Sequence, residues 1–393
     1  MGIFSDFFGH LRARTIFISG GSRSTPWNRA IPEQDICASI LDCNASHTAK
    51  AQVLHVVMDK QGRVSKVNRD SAYTKLFQHP NPMMSGYDFL YAMSWQLDEK
   101  NTALAWIQWG AGMKPEAIWP IAYRNFEFRQ IVGGGYAVEF TDMDGDSHIL
   151  PFEDMVVLRR HFDGSSVGGR SNSPVAETIE MVQSLDEGLK SAVEISNKVH
   201  GLLKQKKAML SQESVKQSQT EFIDRMKSAA KSGGIVTLDS TEDYTPLNVT
   251  AWAANAAQTK QMSDRLFAYW RTPLEVVGNT ASEQTMQNYY DSIIEPRWQA
   301  MSAAFTAALF SSGEQNTGNR ILMFGGAATG ASWSTKLAIV TNTKEMGLLT
   351  VNEYRELLGY APVEDGDERL VSLNYVKSSD QSKYQTGTGG TTA

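Results

Sequence analysis

What this chain has little of narrows it first. Cysteine is nearly absent: Cys37 and Cys43 are the two in 393 residues, and no second pair completes a zinc site. They read as two reduced thiols of a cytoplasmic protein, not as a disulfide framework. No run of about 18 apolar residues occurs, so no segment is expected to span a bilayer and no membrane partner is expected. The first residues, Met1-Gly-Ile-Phe-Ser-Asp-Phe-Phe, lack a basic start, a long apolar core and a cleavage site. Asp6 stands where a myristoylation motif after Gly2 wants Ser or Thr, and the segment reads as a short amphipathic helix. Surplus positive charge is missing too. Lysine plus arginine total 37 against 43 acids, a formal charge of −6. Tight sequence-independent DNA binding draws on a basic footprint that releases phosphate counterions, so any contact with DNA is expected to be weak or repulsive. Finally, no G-x-x-x-x-G-K-[ST] loop is present, which excludes an ATP-driven motor.

What is present is an ordinary globular composition, 41% apolar, in a chain long enough for two or three subdomains with cores of their own. Residues 1–35 read as a tethered arm with a flexible Gly20-Gly-Ser-Arg-Ser-Thr-Pro26 cluster. From about 36 to 170 the pattern mixes helix and strand. Helices are predicted from Ile36 and over Tyr87–Leu97, where Phe89, Leu90, Met93 and Leu97 recur at helical spacing. Strands are predicted from Val53 and over 103–109, 127–131, 136–140 and 155–160, with Gly133-Gly-Gly135 and Asp144-Gly145 as turns. Ser173-Pro174 opens a long amphipathic helix to about 200, with Pro at its first position. A helix near 212–231, a strand at 234–239 and a helix at 251–270 follow. The stretch 278–285 reads as a flexible loop, and a further helix runs to 311 with Pro296 restarting it at a kink. The last 17 residues read as low-complexity tail.

Several motifs imitate active sites and fail on context. Gly164-Ser-Ser166-Val-Gly168 matches the nucleophile elbow of hydrolases, but Gly169-Arg-Ser-Asn-Ser separates it from the helix that must start at once. Asp142-Met-Asp144-Gly-Asp146 with Glu153 imitates a calcium loop, yet Ser147 holds the place of the sharp-turn glycine. An Asp-Gly hairpin explains it better. His55, His79, His148 and His161 stand singly, without metal-ligand spacing. No catalytic residue, metal or cofactor is therefore expected. Lys204, Lys206 and Lys207 form a local positive cluster, ordinary as a solvated face and significant only if many copies surround DNA.

One set of features, taken in order, resembles a known family. Leu76-Phe-Gln-His-Pro-Asn-Pro82 precedes the predicted helix at 87. Asn101-Thr-Ala-Leu-Ala-Trp follows it, with Lys100 where the family pattern has glycine. Trp119-Pro-Ile, Met155-Val-Val-Leu-Arg-Arg and Ser173-Pro174 come next. Then come Ile235-Val-Thr-Leu-Asp, Tyr244-Thr-Pro-Leu247 and Phe267 to Gly278, where Trp270-Arg-Thr-Pro273 departs from the usual Phe-x-Val-Pro. Ser282-Glu-Gln284 and Gly347-Leu-Leu-Thr-Val-Asn-Glu-Tyr-Arg355 complete the series. The chain resembles the portal proteins of long-tailed double-stranded DNA bacteriophages.

That resemblance implies an α+β portal fold assembled as a ring, usually of twelve copies, at one capsid vertex of the virion. It places an α/β wing at 36–173 and 286–332, stem helices at 174–200 and 251–272, and a small α/β clip at 201–250. The tunnel-loop region falls at 273–285 and a helical crown at 333–376, before a disordered tail at 377–393. Double-stranded DNA would pass non-specifically along Asn279, Thr280, Ser282, Glu283, Gln284 and Gln287. Lys204, Lys206 and Lys207 would face DNA, terminase or adaptor at the clip. The implied partners are the major capsid protein, the terminase large subunit and a head–tail adaptor, and no covalent chemistry is implied. The competing reading is a non-viral oligomeric scaffold or binding protein.

Overall fold

The computed structural model describes residues 15–16, 31, 35–131, 134–164, 168–198, 201–205, 212–231, 242–246, 256–325, 333–344, 347–358 and 360–368. Most of the expected arm, the expected strand at 234–239, Lys206, Lys207 and the tail at 377–393 lie outside these residues. The chain divides into two compact units, Met1–Ala176 with Leu266–Ala393, and Glu177–Arg265.

The first unit opens with β1 (Thr15–Ile16), α1 (Asp35–Ala49), β2 (Gln52–Met58), β3 (Val64–Asn68), α2 (Ala72–Gln78) and α3 (Gly86–Lys100). Ser71 caps α2 by accepting the Thr74 N–H at 3.1 Å. Ser85 and Asp88 form a reciprocal capping box at the start of α3, which satisfies donors that the first helical turn leaves unpaired. Asn101 ends α3 in a left-handed conformation (φ 54°) that asparagine tolerates. β4 (Thr102–Trp109), β5 (Pro115–Pro120), β6 (Asn125–Ile131), β7 (Tyr136–Thr141), β8 (Ser147–Pro151) and β9 (Met155–Arg159) follow. They pair antiparallel as β5-β4-β9 and β1-β6-β7-β8. The turn between β7 and β8 is the Asp-Gly hairpin. Asp142 Oδ1 accepts the N–H groups of Asp144, Gly145 and Asp146 at 2.9–3.0 Å, and its other oxygen meets His148 Nε2 at 2.8 Å.

The second unit is built mainly from α4 (Ser173–Lys198), β10 (Gly201–Gln205), α5 (Gln212–Lys231), β11 (Glu242–Pro246) and α6 (Ala256–Trp270). α4 runs through Gly188 as one helix of 26 residues. Its apolar stripe is buried at Ile179 and Val182 and emerges at Leu189, 49% exposed. β10 and β11 form a two-stranded ribbon in which Lys204 stands opposite Asp243.

The chain then returns to the first unit through α7 (Leu274–Val277), α8 (Glu283–Tyr289), a π-helical turn over Tyr290–Ile294, and α9 (Glu295–Leu309). α10 (Ser312–Asn316), β12 (Asn319–Phe324), α11 (Trp333–Thr343) and α12 (Val351–Leu357) complete the described elements. β12 pairs with β2 to give the sheet β12-β2-β3, so strands distant in sequence, with His55 and Asn319 264 positions apart, share one core. That core joins Phe89, Met93 and Leu97 of α3, Ala103, Ala105 and Ile107 of β4, and Trp298, Met301 and Phe305 of α9. A buried side chain of this size contributes about 1.5–3 kcal/mol. A second, smaller core gathers Leu104, Tyr123, Phe126, Val138, Phe140 and Leu150.

One expectation is corrected here and another acquires its physical reason. The expected loop at 278–285 is helical from Glu283, because Ser282 caps α8 by accepting the Thr285 N–H at 3.1 Å and Glu283 meets the positive end of the helix. Pro296 restarts the helix as expected, and the irregularity before it is the π-helical turn over Tyr290–Ile294. The proline sits in the first turn of α9, where the widened turn before it accommodates a residue without an N–H. The C-terminal motif acquires a physical reading. Thr350 and Glu353 form a capping box on α12. Asn352 brackets the following turn, donating to Asp367 Oδ1 at 2.8 Å and accepting from Val363 N at 2.8 Å. Arg355 Nε donates to the Ala361 carbonyl at 2.7 Å.

Candidate functional site

Asn279, Thr280, Ser282, Glu283, Gln284 and Gln287 are all exposed, and they fall on one short segment between α7 and the end of α8. The segment is ordered by its own backbone. Gly278 N donates to Leu274 O, and Thr280 N to Glu275 O, each at 2.8 Å. Asn279 takes a left-handed φ of 55°. Gln284 Nε2 donates to Asn288 Oδ1 at 2.9 Å along the surface of α8. The result is a polar ridge with one acid and no base.

Asn44 of α1 ties down both ends of this ridge. Its Oδ1 accepts the Thr272 hydroxyl at 3.0 Å on the near side and the Tyr289 hydroxyl at 2.6 Å on the far side. All three residues are buried. Sequence reasoning did not find this clamp, because its partners are more than two hundred positions apart.

The first unit also holds a buried ionic network. Asp98 of α3 is 0% exposed. Arg297 of α9 holds it with two hydrogen bonds, Nη1 to Oδ2 at 2.8 Å and Nη2 to Oδ1 at 2.9 Å. Arg297 Nη1 also donates to Ser94 Oγ at 2.6 Å. Arg160 approaches the same carboxylate at 3.2 Å. Burial lowers the Arg160 guanidinium's hold on its proton, and Asp98 opposes that effect. Trp270 Nε1 donates to the Asp98 carbonyl at 3.2 Å. Asn172 Oδ1 accepts from Asn101 Nδ2 and from the Tyr269 hydroxyl, each at 2.6 Å. The network is charged and closely hydrogen-bonded, but Arg160 Nη1 and Asn101 Oδ1 are buried within it without a hydrogen-bond partner.

His47 lies close by. Its Nδ1 is 2.9 Å from the Tyr290 hydroxyl, and its ring meets Tyr289 and Tyr290 edge-on at 5.5 Å. Burial, then the charge of Lys50, pushes its pKa down to about 4. The folded form therefore keeps His47 neutral while the unfolded chain protonates near 6.5. Stability is full above about pH 6.5 and falls as pH drops toward 4. His47→Gln is expected to flatten that loss in thermal denaturation at pH 7, 6, 5 and 4.5. An unchanged slope would remove His47 from the explanation.

The remaining candidates are plain. Cys37 and Cys43 are buried and unpaired, and burial pushes the Cys37 thiol up to about 12, which leaves it unreactive at neutral pH. Lys204 is exposed on β10, opposite Asp243. It belongs to the second unit, and the ridge to the first. Ser165 and Ser166 lie outside the described residues. Among the described residues no group of three His, Cys, Asp or Glu is placed to hold a metal, and no helix is long and apolar enough to cross a membrane.

Comparison with known proteins gives a family. The phage portal protein family model matches residues 38–359. No curated protein matches the chain. Among solved structures the chain is similar to one from the neck of an empty gene transfer agent particle computed with C6 symmetry. The TM-score is 0.66 at 14% identity, over 86% of this chain and 94% of that one. It is also similar to one from the neck of a native particle computed with C12 symmetry, with TM-score 0.65 at 14% identity, over 89% and 96%. A third, from the virion of the native gene transfer agent, gives 0.64 at 14% identity, over 86% and 94%. At that identity the likeness speaks to the fold, and the family match speaks to membership. With most of its length matched, the chain belongs to the phage portal protein family.

Proposed function

We propose that this portal protein is a head–tail connector, closing as a ring of twelve copies at one capsid vertex and forming the channel through which double-stranded DNA enters and leaves. The observation that carries this reading is the family match over 38–359, joined to the likeness with chains from particle necks of C6 and C12 symmetry. The physical role is structural: a conduit and a docking platform, without covalent chemistry. Within it the mixed helix-and-strand segments 36–173 and 286–332 form the wing, 174–200 and 251–272 the stem helices, 201–250 the clip, and 333–376 the crown. The ring meets the major capsid protein, the terminase large subunit during packaging, and later a head–tail adaptor.

Two features of the single chain support a ring. Large apolar side chains remain exposed on the Glu177–Arg265 unit, at Met181, Leu189, Val215 and Ile223, as surfaces awaiting a partner do. The formal charge of −6 per chain multiplies around a ring, so an encircled duplex is repelled from the wall and slides. The ridge at 279–287 suits the tunnel loop, because exposed neutral amides and hydroxyls touch phosphates loosely and read no sequence.

The test is the mass in solution. Twelve chains of 43.5 kDa close into a particle of about 0.5 MDa, whereas a monomeric binding protein does not. The clip has its own test. Replacing Lys204, Lys206 and Lys207 by Glu is expected to weaken docking of terminase or adaptor, or retention of DNA. If all three are unaffected, the lysines are a solvated face.

A further inference from the structure

Around Tyr269, close to the end of α6, positive charge accumulates beyond what the nearby acids balance. Arg160 lies over the Tyr269 ring, 5.4 Å from its centroid, and donates from Nη2 to the Tyr269 carbonyl at 3.0 Å. The His161 ring meets the Tyr269 ring at a tilt, with centroids 5.3 Å apart. Arg170 is held beside them through its backbone N–H, which donates to the His161 carbonyl at 3.3 Å. Arg271 ends the helix that carries Tyr269. Two aspartates share this neighbourhood, and both are engaged. Asp98 is shared by Arg160 and Arg297, and Asp163 is 3.3 Å from Arg170. Four arginines thus face two aspartates. His161 registers the resulting field: burial first, then Arg160, Arg271 and Arg170, push its pKa down to about 4.

Two of these arginines, Arg170 and Arg271, are exposed, and among the described residues Arg271 makes no ion pair. Arg271 and His161 both hold left-handed backbone, with φ of 55° and 51°. Arg271 holds it at a helix end, a position that ordinarily takes glycine, and a charged side chain kept there against local preference points to a use for it.

We propose that this patch is a phosphodiester contact, in which Arg170 and Arg271 take backbone phosphates of duplex DNA. The proposal rests on the portal reading for its setting, since a ring is what would array many copies of the patch about one duplex. Guanidinium is the suitable group, because its planar fork matches two phosphate oxygens and it never loses its charge at neutral pH. On a chain that is acidic overall the contact is a local attraction, sequence-independent and salt-sensitive. Its position immediately before the neutral ridge would let a duplex be held lightly at one level and released at the next.

The experiment compares wild type, R170Q/R271Q and R63Q for binding a fluorescently labelled duplex by anisotropy over a series of KCl concentrations. The mass of each is measured first. Arg63 is a control, 75% exposed and paired with Asp59 on the β2–β3 turn. The double variant is expected to bind at least about tenfold more weakly at low salt, with a shallower dependence of log affinity on log salt, while R63Q matches wild type. Wild-type affinity and slope in the double variant would overturn the proposal. So would a double variant that no longer closes into rings, since the arginines would then be joining subunits. A wild-type chain that stays single would defeat the portal reading and not the patch, which the same titration on the single chain then decides.

Discussion

Asp98→Ala is expected to destabilise the first unit by about 3–5 kcal/mol, the largest stability effect of any single substitution considered. The reason is desolvation. Asp98 is fully buried, and Arg297 and Arg160 are largely removed from water beside it, with side-chain exposures of 7% and 15%. Without the carboxylate, two guanidinium groups lose the one charge that offsets their burial, while the Trp270 hydrogen bond to the Asp98 backbone carbonyl remains available. The pair itself adds little compared with a well-packed apolar replacement, because its own desolvation cancels most of the attraction. Asp98→Leu combined with Arg297→Met and Arg160→Met, which strands neither guanidinium, is therefore expected to be markedly less destabilised than Asp98→Ala alone. Urea unfolding followed by tryptophan fluorescence, at one fixed protein concentration, measures both. Equal losses in the two variants would show that the hydrogen-bond geometry, and not the stranded charge, dominates.

The largest functional effect is expected on the ridge. Glu283→Lys, Gln284→Lys and Gln287→Lys together should leave ring mass unchanged, since all three side chains are exposed and lysine is as good a helix former as those it replaces. In a ring the added charges would encircle the duplex. Each new phosphate contact releases counterions, so affinity for DNA is expected to rise more than about tenfold at low salt, with a steeper salt slope. Packaging and ejection should slow in proportion, because a gripped duplex does not slide. Deleting 280–285 is the blunter experiment. It also removes the Ser282 cap and the first turn of α8, so a packaging defect there would mix loss of contact with loss of structure. If lysine-substituted rings package and eject at the wild-type rate, the ridge does not touch DNA.

The two predictions separate what the sequence made legible from what it did not. Helices with a clear apolar spacing were readable: Phe89, Leu90, Met93 and Leu97 are all buried on α3, and the 212–231 helix has those bounds in the structure. The Asp144-Gly145 turn was readable because its chemistry is local. The ridge residues were readable only through the family resemblance, as nothing in a run of neutral polar groups marks a function. Its helical half was missed because the signal is one serine, Ser282, whose capping role is visible only once the chain turns there. β3, β5, β8, β10 and β12 are short strands of five or six residues that the sequence pattern does not mark. The buried ionic network was illegible altogether. Asp98, Arg160 and Arg297 carry no spacing that links them, and Asn44 meets Thr272 and Tyr289 from the other end of the chain. Such long-range polar partners are set by the packing of α1, α3 and α9, and local preference does not encode them.

The most direct test of the central claim is an electron-microscopy reconstruction of the purified protein viewed along its symmetry axis. A closed ring whose central opening is lined by residues 279–287 is the expected result. A solitary chain, or a ring in which that stretch lies buried away from the opening, would contradict it.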